Sequence, residues 1–116
     1  MTSKALAKKI ALSALEKKAE DIVIMDLRKV TTMADYFVVC SADSDTQVKA
    51  IATSVREGAS EVGETVWKNE GYNDASWILL DYVNVVVHIF HRDKRGFFAL
   101  EELWGDAVRK AYDNVA

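Results

Sequence analysis

A short acidic segment is the first candidate for a catalytic or metal-binding site in this chain. Asp43 and Asp45 lie two residues apart, and such a carboxylate pair could hold a magnesium ion for nucleotidyl transfer. The segment is also typical of a helix start, because carboxylate and hydroxyl oxygens accept hydrogen bonds from free backbone N–H groups there. We favour the helix cap, since such an enzyme is expected to carry a second carboxylate pair on the following strand, and residues 65–68 contain none.

The two histidines and the single cysteine do not form a site by their spacing. His88 and His91 are three residues apart in a segment expected to be a strand, where such side chains point to opposite faces. We therefore interpret His88 as a hydrogen-bonded structural residue. Cys40 lies in an apolar run, which disfavours the reactive thiolate. No catalytic residue, metal or cofactor is predicted.

Composition limits the class of protein and its partners. The 116 residues are 50% hydrophobic and carry a net charge of -3, which fits one domain spanning residues 1–116. A lone cysteine indicates a reducing compartment, and we expect a cytoplasmic protein. No run reaches the ~18 apolar residues of a membrane span. Because general nucleic-acid binders need a basic excess, we expect no direct sequence-specific nucleic-acid binding, and a basic protein is the likelier type of partner.

Three helices and five strands are expected to position these residues. Helical periodicity predicts a helix at about residues 4–19 and another after Ser44, which would cap it while Gln47 reaches back to complete a capping box. Gly63 would end this second helix. A third helix is expected from about Arg95, with an apolar stripe reaching Ala111. Apolar runs of strand length predict strands at residues 22–27, 36–40, 66–68, 77–82 and 85–90.

The order of these elements, α-β-β-α-β-β-β-α, predicts how the sheet is connected. Only Val83 and Asn84 separate the last two strands, so they form an antiparallel hairpin. The strand–helix–strand unit in the middle favours a parallel pair. We therefore predict an α/β fold: a single domain with a five-stranded mixed β-sheet packed with helices.

A group of aromatic and charged residues outside the regular apolar stripes is the candidate contact surface. Tryptophan, tyrosine and arginine are over-represented among the residues that dominate binding energy at interfaces. The predicted partner-binding residues are Trp77, Asp81, Tyr82, Arg95, Phe98, Glu101 and Glu102. The alternative interpretation is that the aromatic side chains belong to the core and the charged ones to a solvated surface.

Several segments, in the same order along the chain, resemble the ribosomal silencing factor family, also called Iojap-like. They are Trp77–Tyr82, Val85–Phe90, the segment from Arg95 to Trp104, and Asp35–Ser41 followed by Ser44 and Gln47–Ala52. The resemblance runs from about Lys4 to Trp104. The chain departs from the family pattern at Ala42, Asn84 and Phe98, where Gly, Asp and Tyr are common, and these changes affect local detail only.

The resemblance implies a fold related in shape to nucleotidyltransferases but without their catalytic carboxylates, and no enzymatic activity. It implies binding to ribosomal protein fourteen at the joining face of the large ribosomal subunit. A factor bound there obstructs the small subunit and represses translation when nutrients are short. The resemblance also allows for a homodimer. We expect no membrane partner, since no apolar run is long enough to span a membrane. Two alternatives stay open: an adaptor for assembly of the large subunit, and a divergent nucleotidyltransferase-like enzyme that uses Asp43 and Asp45.

Overall fold

Two strands follow the first helix, and the remaining strands follow the second. The computed structural model describes residues 1–94 and, as a backbone strand, residues 108–111. The elements are α1 (Ser3–Glu16), β1 (Glu20–Asp26), β2 (Tyr36–Ala42), α2 (Asp45–Glu61), β3 (Lys68–Glu70), β4 (Trp77–Asp81), β5 (Val85–His91) and β6 (Val108–Ala111), with a 3-10 turn at Arg92–Lys94. None of the helices in the described ranges combines the length and apolarity that crossing a membrane requires.

The strands form one mixed sheet in the order β3-β4-β5-β2-β1-β6. Its central pair, β2 with β5, is parallel and runs from Tyr36 opposite Val85 to Ala42 opposite His91. The other neighbouring strands pair antiparallel. The predicted mixed α/β sheet is therefore confirmed, and the expected parallel pair joins β2 to β5. The short strand predicted at residues 66–68 lies two residues later, as β3.

A sixth strand was not predicted. Val108–Ala111 pairs antiparallel with β1, from Val23 opposite Ala111 to Asp26 opposite Val108. The helix predicted from about Arg95 to Ala111 is therefore wrong for these four residues, which form a strand; residues 95–107 of the predicted helix lie outside the described residues. Val108 and Ala111 fit a helical stripe by spacing alone, but the open edge of β1 offers backbone hydrogen bonds that an extended segment can complete.

Both helices begin with a hydroxyl cap. Thr2 Oγ1 accepts a hydrogen bond from the backbone N–H of Ala5 at 3.1 Å, and Ser44 Oγ accepts one from the N–H of Gln47 at 3.2 Å. The predicted Ser44 cap is therefore confirmed. The Gln47 side chain does not make the return hydrogen bond expected of a capping box. Its amide nitrogen instead donates to the carbonyls of Lys17 and Lys18, at 3.2 and 3.3 Å, beyond the end of α1.

The second helix ends as predicted at a glycine. Gly63 has a φ of +81°, in the left-handed region that glycine adopts without strain. Its N–H donates to the carbonyl of Ser60, and the N–H of Glu64 donates to that of Ala59. These bonds satisfy carbonyls that the end of a helix would otherwise leave without partners.

The two helices cover one face of the sheet and approach each other closely at Gly58. Ser54 Oγ on α2 donates to the carbonyl of Ser13 on α1 at 2.8 Å. One turn further along, a Cβ atom added to Gly58 would lie 2.1 Å from Ser13 Oγ and 3.1 Å from Ser13 Cβ. Gly58 therefore permits this contact, although glycine costs ~1 kcal/mol in a helix relative to alanine.

We expect Gly58→Ala to destabilise the protein despite its better helix propensity. Crowding in a packed interior costs ~1–3 kcal/mol, which exceeds the propensity gain of about 1 kcal/mol. Chemical denaturation would measure the difference. The double variant Gly58→Ala with Ser13→Ala removes the clashing hydroxyl and should recover part of the loss. A single variant more stable than the wild type would show that the helices can separate at no cost.

Candidate partner-binding face

Strand β4 sends alternate side chains to the two faces of the sheet. Ile78 and Leu80 belong to the buried cluster that includes the core residues of α1 and α2. Because side chains alternate along a strand, Trp77, Leu79 and Asp81 lie on the opposite face. A second, smaller apolar cluster lies on that face, with Met25, Leu27, Val39 and Phe90 buried at its centre. We call the surface formed by Trp77, Leu79 and Asp81 the β4 face.

Trp77 is the most distinctive residue of the β4 face. Its side chain is 47% exposed, yet the indole ring is held on two sides. The ring stacks on Phe90, with centroids 5.2 Å apart and planes inclined by 25°. The indole nitrogen donates a hydrogen bond to His88 Nδ1 at 3.1 Å. The result is a large amphipathic ring that is fixed in orientation and still open to a partner.

His88 supports the Trp77 ring from beneath. The imidazole is buried, and Phe37 contacts it edge-on with ring centroids 4.6 Å apart. Burial lowers the pKa of His88 to about 4, so the ring is neutral at pH 7. Since Nδ1 accepts the bond from Trp77, the ring proton is assigned to Nε2, which has no partner among the described residues. The interpretation of His88 as a hydrogen-bonded structural residue is confirmed.

The buried histidine makes acid sensitivity of the fold an expected property. In the unfolded chain its pKa returns to about 6.5, so between pH 6.5 and 4 the unfolded chain binds a proton that the folded protein rejects. Stability should therefore fall as the pH drops through this window, by about 2–3 kcal/mol from His88 alone. Urea denaturation at several pH values gives the free energy of unfolding of the wild type and of His88→Phe. The contribution of His88 is the difference between the slopes of these two free energies against pH. Parallel slopes would contradict it.

Tyr82 does not share the exposed face of Trp77. Its side chain is 8% exposed and belongs to the cluster beneath the helices. Burial raises the pKa of its phenol to about 12, and the hydroxyl has no hydrogen-bond partner among the described residues. The alternative interpretation of a core aromatic therefore applies to Tyr82. Because it lies an odd number of positions from Trp77, strand alternation places the two rings on opposite sides of the sheet.

Asp81 shapes the hairpin next to the β4 face. Its Oδ1 accepts a hydrogen bond from the backbone N–H of Val83 at 2.7 Å. Val83 has a φ of 73° and an exposed side chain at the tip of the turn. Asp81 thus combines a turn-forming role with a half-buried position at the opposite end of β4 from Trp77. The other predicted contact residues, Arg95, Phe98, Glu101 and Glu102, lie outside the described residues.

The acidic segment after β2 lies beside basic side chains at the end of β5 and directly after it. The parallel register places Ala42 opposite His91, so the next residues, Asp43 and Arg92, meet. Arg92 Nε lies 2.9 Å from Asp43 Oδ1, and the same guanidinium contacts Glu20. Asp45, in the first turn of α2, lies 3.7 Å from His91 Nε2. Within residues 1–94, no group of three or more histidine, cysteine, aspartate or glutamate side chains is placed to hold a metal ion.

Arg92 was not singled out from the sequence. The signal that could have identified it is its position directly after β5, since the ends of two parallel neighbouring strands meet at one edge of the sheet. At that edge the guanidinium pairs with both Glu20 and Asp43, so its single positive charge is shared between the two carboxylates.

Comparison with known proteins agrees with this arrangement of the sheet and helices. A family model described as "Ribosomal silencing factor during starvation" matches residues 1–116. The chain belongs to this family. Among curated relatives, a protein of Bacillus subtilis named ribosomal silencing factor RsfS is 45% identical over 92% of this chain and 91% of its own length. The protein of that name from Halalkalibacterium halodurans is 42% identical over 91% and 92%.

Solved structures show the same fold at significant sequence identity. A crystal structure of a Chromobacterium violaceum protein matches with a TM-score of 0.86 and 32% identity, covering 90% of this chain and 88% of that one. A Bacillus halodurans protein matches with a TM-score of 0.80 and 36% identity, covering 88% and 95%. The family assignment therefore rests on sequence and structure together.

Proposed function

We propose that this protein is a ribosomal silencing factor that binds the large ribosomal subunit and sterically blocks joining of the small subunit. Translation would thereby be repressed when nutrients are limiting. The proposed contact on the large subunit is ribosomal protein fourteen, and the proposed place of action is the cytoplasm. Membership of the ribosomal silencing factor family supports the general role. The mechanism requires occupation of a surface and needs no catalytic step.

The observation that carries the proposal is the half-exposed Trp77 ring fixed against Phe90 and His88. An aromatic side chain that is already ordered loses little conformational entropy on binding, so more of its buried area contributes to affinity. We therefore place the centre of the contact at Trp77.

Charge supports a basic protein as the partner. The chain has a net charge of -3, and Asp81 shares the β4 face with Trp77, at the other end of the strand. An acidic factor that meets a basic ribosomal protein gains long-range attraction and a faster association rate. Arg95, Phe98, Glu101 and Glu102 remain proposed as further contacts. Tyr82 is removed from the proposed contact surface because its ring faces the helices.

The pairing of the acidic segment favours binding over catalysis. A nucleotidyltransferase needs carboxylates that are available to a metal ion, whereas here Asp43 is engaged by Arg92 and Asp45 lies beside His91. We propose that the protein acts without enzymatic turnover.

Co-sedimentation tests the proposal directly. The purified protein is centrifuged with isolated large subunits, isolated small subunits and joined ribosomes. We expect it to pellet with large subunits alone, since the joined ribosome hides the site. Equal recovery with joined ribosomes would contradict a site on the joining face. Recovery only with immature large-subunit precursors would favour the assembly adaptor instead.

A further inference from the structure

The hairpin between β4 and β5 contains a residue in a strained conformation. The N–H of Tyr82 donates to the carbonyl of Val85 at 2.8 Å, so Val83 and Asn84 form a two-residue loop. Val83 has a φ of 73°. Such loops normally place glycine where the first residue has a positive φ, because a β-branched side chain clashes with the backbone there. Outliers of this kind persist only where the surrounding structure imposes them, and they are concentrated at functional sites.

Hydrogen bonds on both sides of the loop impose this conformation. Asp81 Oδ1 accepts a hydrogen bond from the N–H of Val83 at 2.7 Å. The carbonyl of Asn84 accepts from the N–H groups of Asp35 and Tyr36, at 2.8 and 3.2 Å. The loop is thus fixed to β4 on one side and to the start of β2 on the other. Within the chain the isopropyl group contributes little packing in return, since Val83 is 57% exposed.

A second exposed apolar side chain lies on the loop that is bonded to this turn. Met33 is 79% exposed, more than any other large hydrophobic residue within residues 1–94. It precedes Asp35 by two positions, so its Cα atom is no more than about 8 Å from that residue, whose N–H bonds to Asn84. Two exposed apolar side chains from different loops therefore lie at one end of the sheet. We call Val83 and Met33 the tip surface.

We propose that the tip surface is a second apolar contact with the large ribosomal subunit, an inference that rests on the proposed function. Val83 packs into an apolar depression of the basic ribosomal protein. The neighbouring Asp81 carboxylate, which forms no ion pair within residues 1–94, supplies the charge match. The strained turn is retained because it directs the isopropyl group outwards, to the partner.

The distance between the tip surface and Trp77 fits a single interface. Val83 follows Trp77 by six positions along β4 and its hairpin, which corresponds to about 20 Å at ~3.3 Å per residue. A standard interface covers about 800 Å² of each partner and is therefore roughly 30 Å across. Trp77 at one end of β4 and Val83 at the other can contact the same partner surface.

Val83→Gly separates the strain of this residue from its contact. The melting temperature should rise by about 4 °C, because relief of the strain exceeds the added freedom of glycine in the unfolded chain. Binding to large subunits should weaken about tenfold, the effect of removing one valine side chain that becomes buried on binding. Thermal melting and co-sedimentation of the same preparation measure the two effects. Unchanged binding, or a lower melting temperature, would overturn the proposal.

Matched variants distinguish the contact from loop flexibility. Val83→Asn also relieves the strain, since asparagine tolerates a positive φ, and should bind as weakly as Val83→Gly. Val83→Ile keeps a branched apolar side chain and should bind like the wild type. Lys18→Gly is the control for strain relief alone: it removes a φ of 60° at the other end of β1 and should leave binding unchanged. Met33→Ser should weaken binding as well.

The outcomes separate this inference from the proposed function. Wild-type protein that fails to pellet with large subunits would remove the proposed function and the tip contact together. Wild-type binding that Val83→Asn and Met33→Ser match would exclude the tip contact alone. An equal loss in Lys18→Gly would show that the loss reflects backbone flexibility and would also exclude it.

Discussion

Trp77→Ala is expected to weaken binding to the large ribosomal subunit about thirtyfold, because truncation of an interface hot spot costs ~2 kcal/mol or more. The variant should keep its fold with some loss of stability, because truncation leaves the buried His88 Nδ1 without its hydrogen-bond donor. Binding is measured by co-sedimentation over a range of large-subunit concentrations. Circular dichroism and thermal melting of the same preparation check that the variant is folded.

Trp67 provides a matched control for this experiment. It is 70% exposed and precedes the edge strand β3, and it has no part in the Trp77–His88–Phe90 arrangement. We expect Trp67→Ala to bind like the wild type. An equal loss in both variants would mean that exposed aromatic area in general drives the association, and normal binding by Trp77→Ala would place the interface elsewhere.

Complete loss of subunit joining at about one factor per large subunit is the second expected result. A blocker acts by mass action, since it removes one partner from the joining equilibrium in proportion to its concentration over its dissociation constant. Light scattering of mixed subunits measures joining as the factor is added. A catalytic inhibitor would act far below one equivalent, so the stoichiometry distinguishes the mechanisms.

The order of addition and the salt concentration provide the controls for the joining experiment. Inhibition should be strongest when the factor meets the large subunit before the small subunit does. It should weaken as salt rises, because electrostatic attraction is screened over about 10 Å at 0.1 M; factor binding is measured separately, since salt also affects joining. Unchanged joining with large subunits shown to carry the factor would eliminate the steric mechanism.

Regular patterns along the chain were sufficient to predict most of the fold. The apolar runs of β2 and β5 indicated interior strands, and both are buried at the centre of the sheet. Ser44 and Gly63 marked the ends of α2, because caps depend on local backbone geometry that neighbouring residues determine. Local chemistry of this kind is available from the sequence without tertiary information.

The features that escaped prediction depend on contacts between distant segments. Gln47 had a local capping role available, but its amide bonds to carbonyls about thirty residues earlier in the chain. Val108 and Ala111 fit a helix by spacing, and only the open edge of β1 explains their extended form. Arg92 became significant only once the parallel register of β2 and β5 placed it beside Asp43.

The candidate site was predicted in part. Trp77 was expected to be a contact residue, and it is half exposed on the β4 face. Tyr82 was grouped with it by nearness in sequence, although the odd spacing of the two residues along the strand already indicated opposite faces.

The parallel pairing of β2 with β5 has a consequence for the synthesis of this protein. The two strands at the centre of the sheet are separated by α2, β3 and β4, so the pair cannot form until residue 91 has left the ribosome that makes it. Until then, the apolar strand β2 has unpaired backbone N–H and C=O groups along one edge and is open to association with other chains. Contacts this distant in sequence also slow folding, since a long loop must close before they form. A nascent chain of this family is therefore most exposed to misfolding late in its own translation.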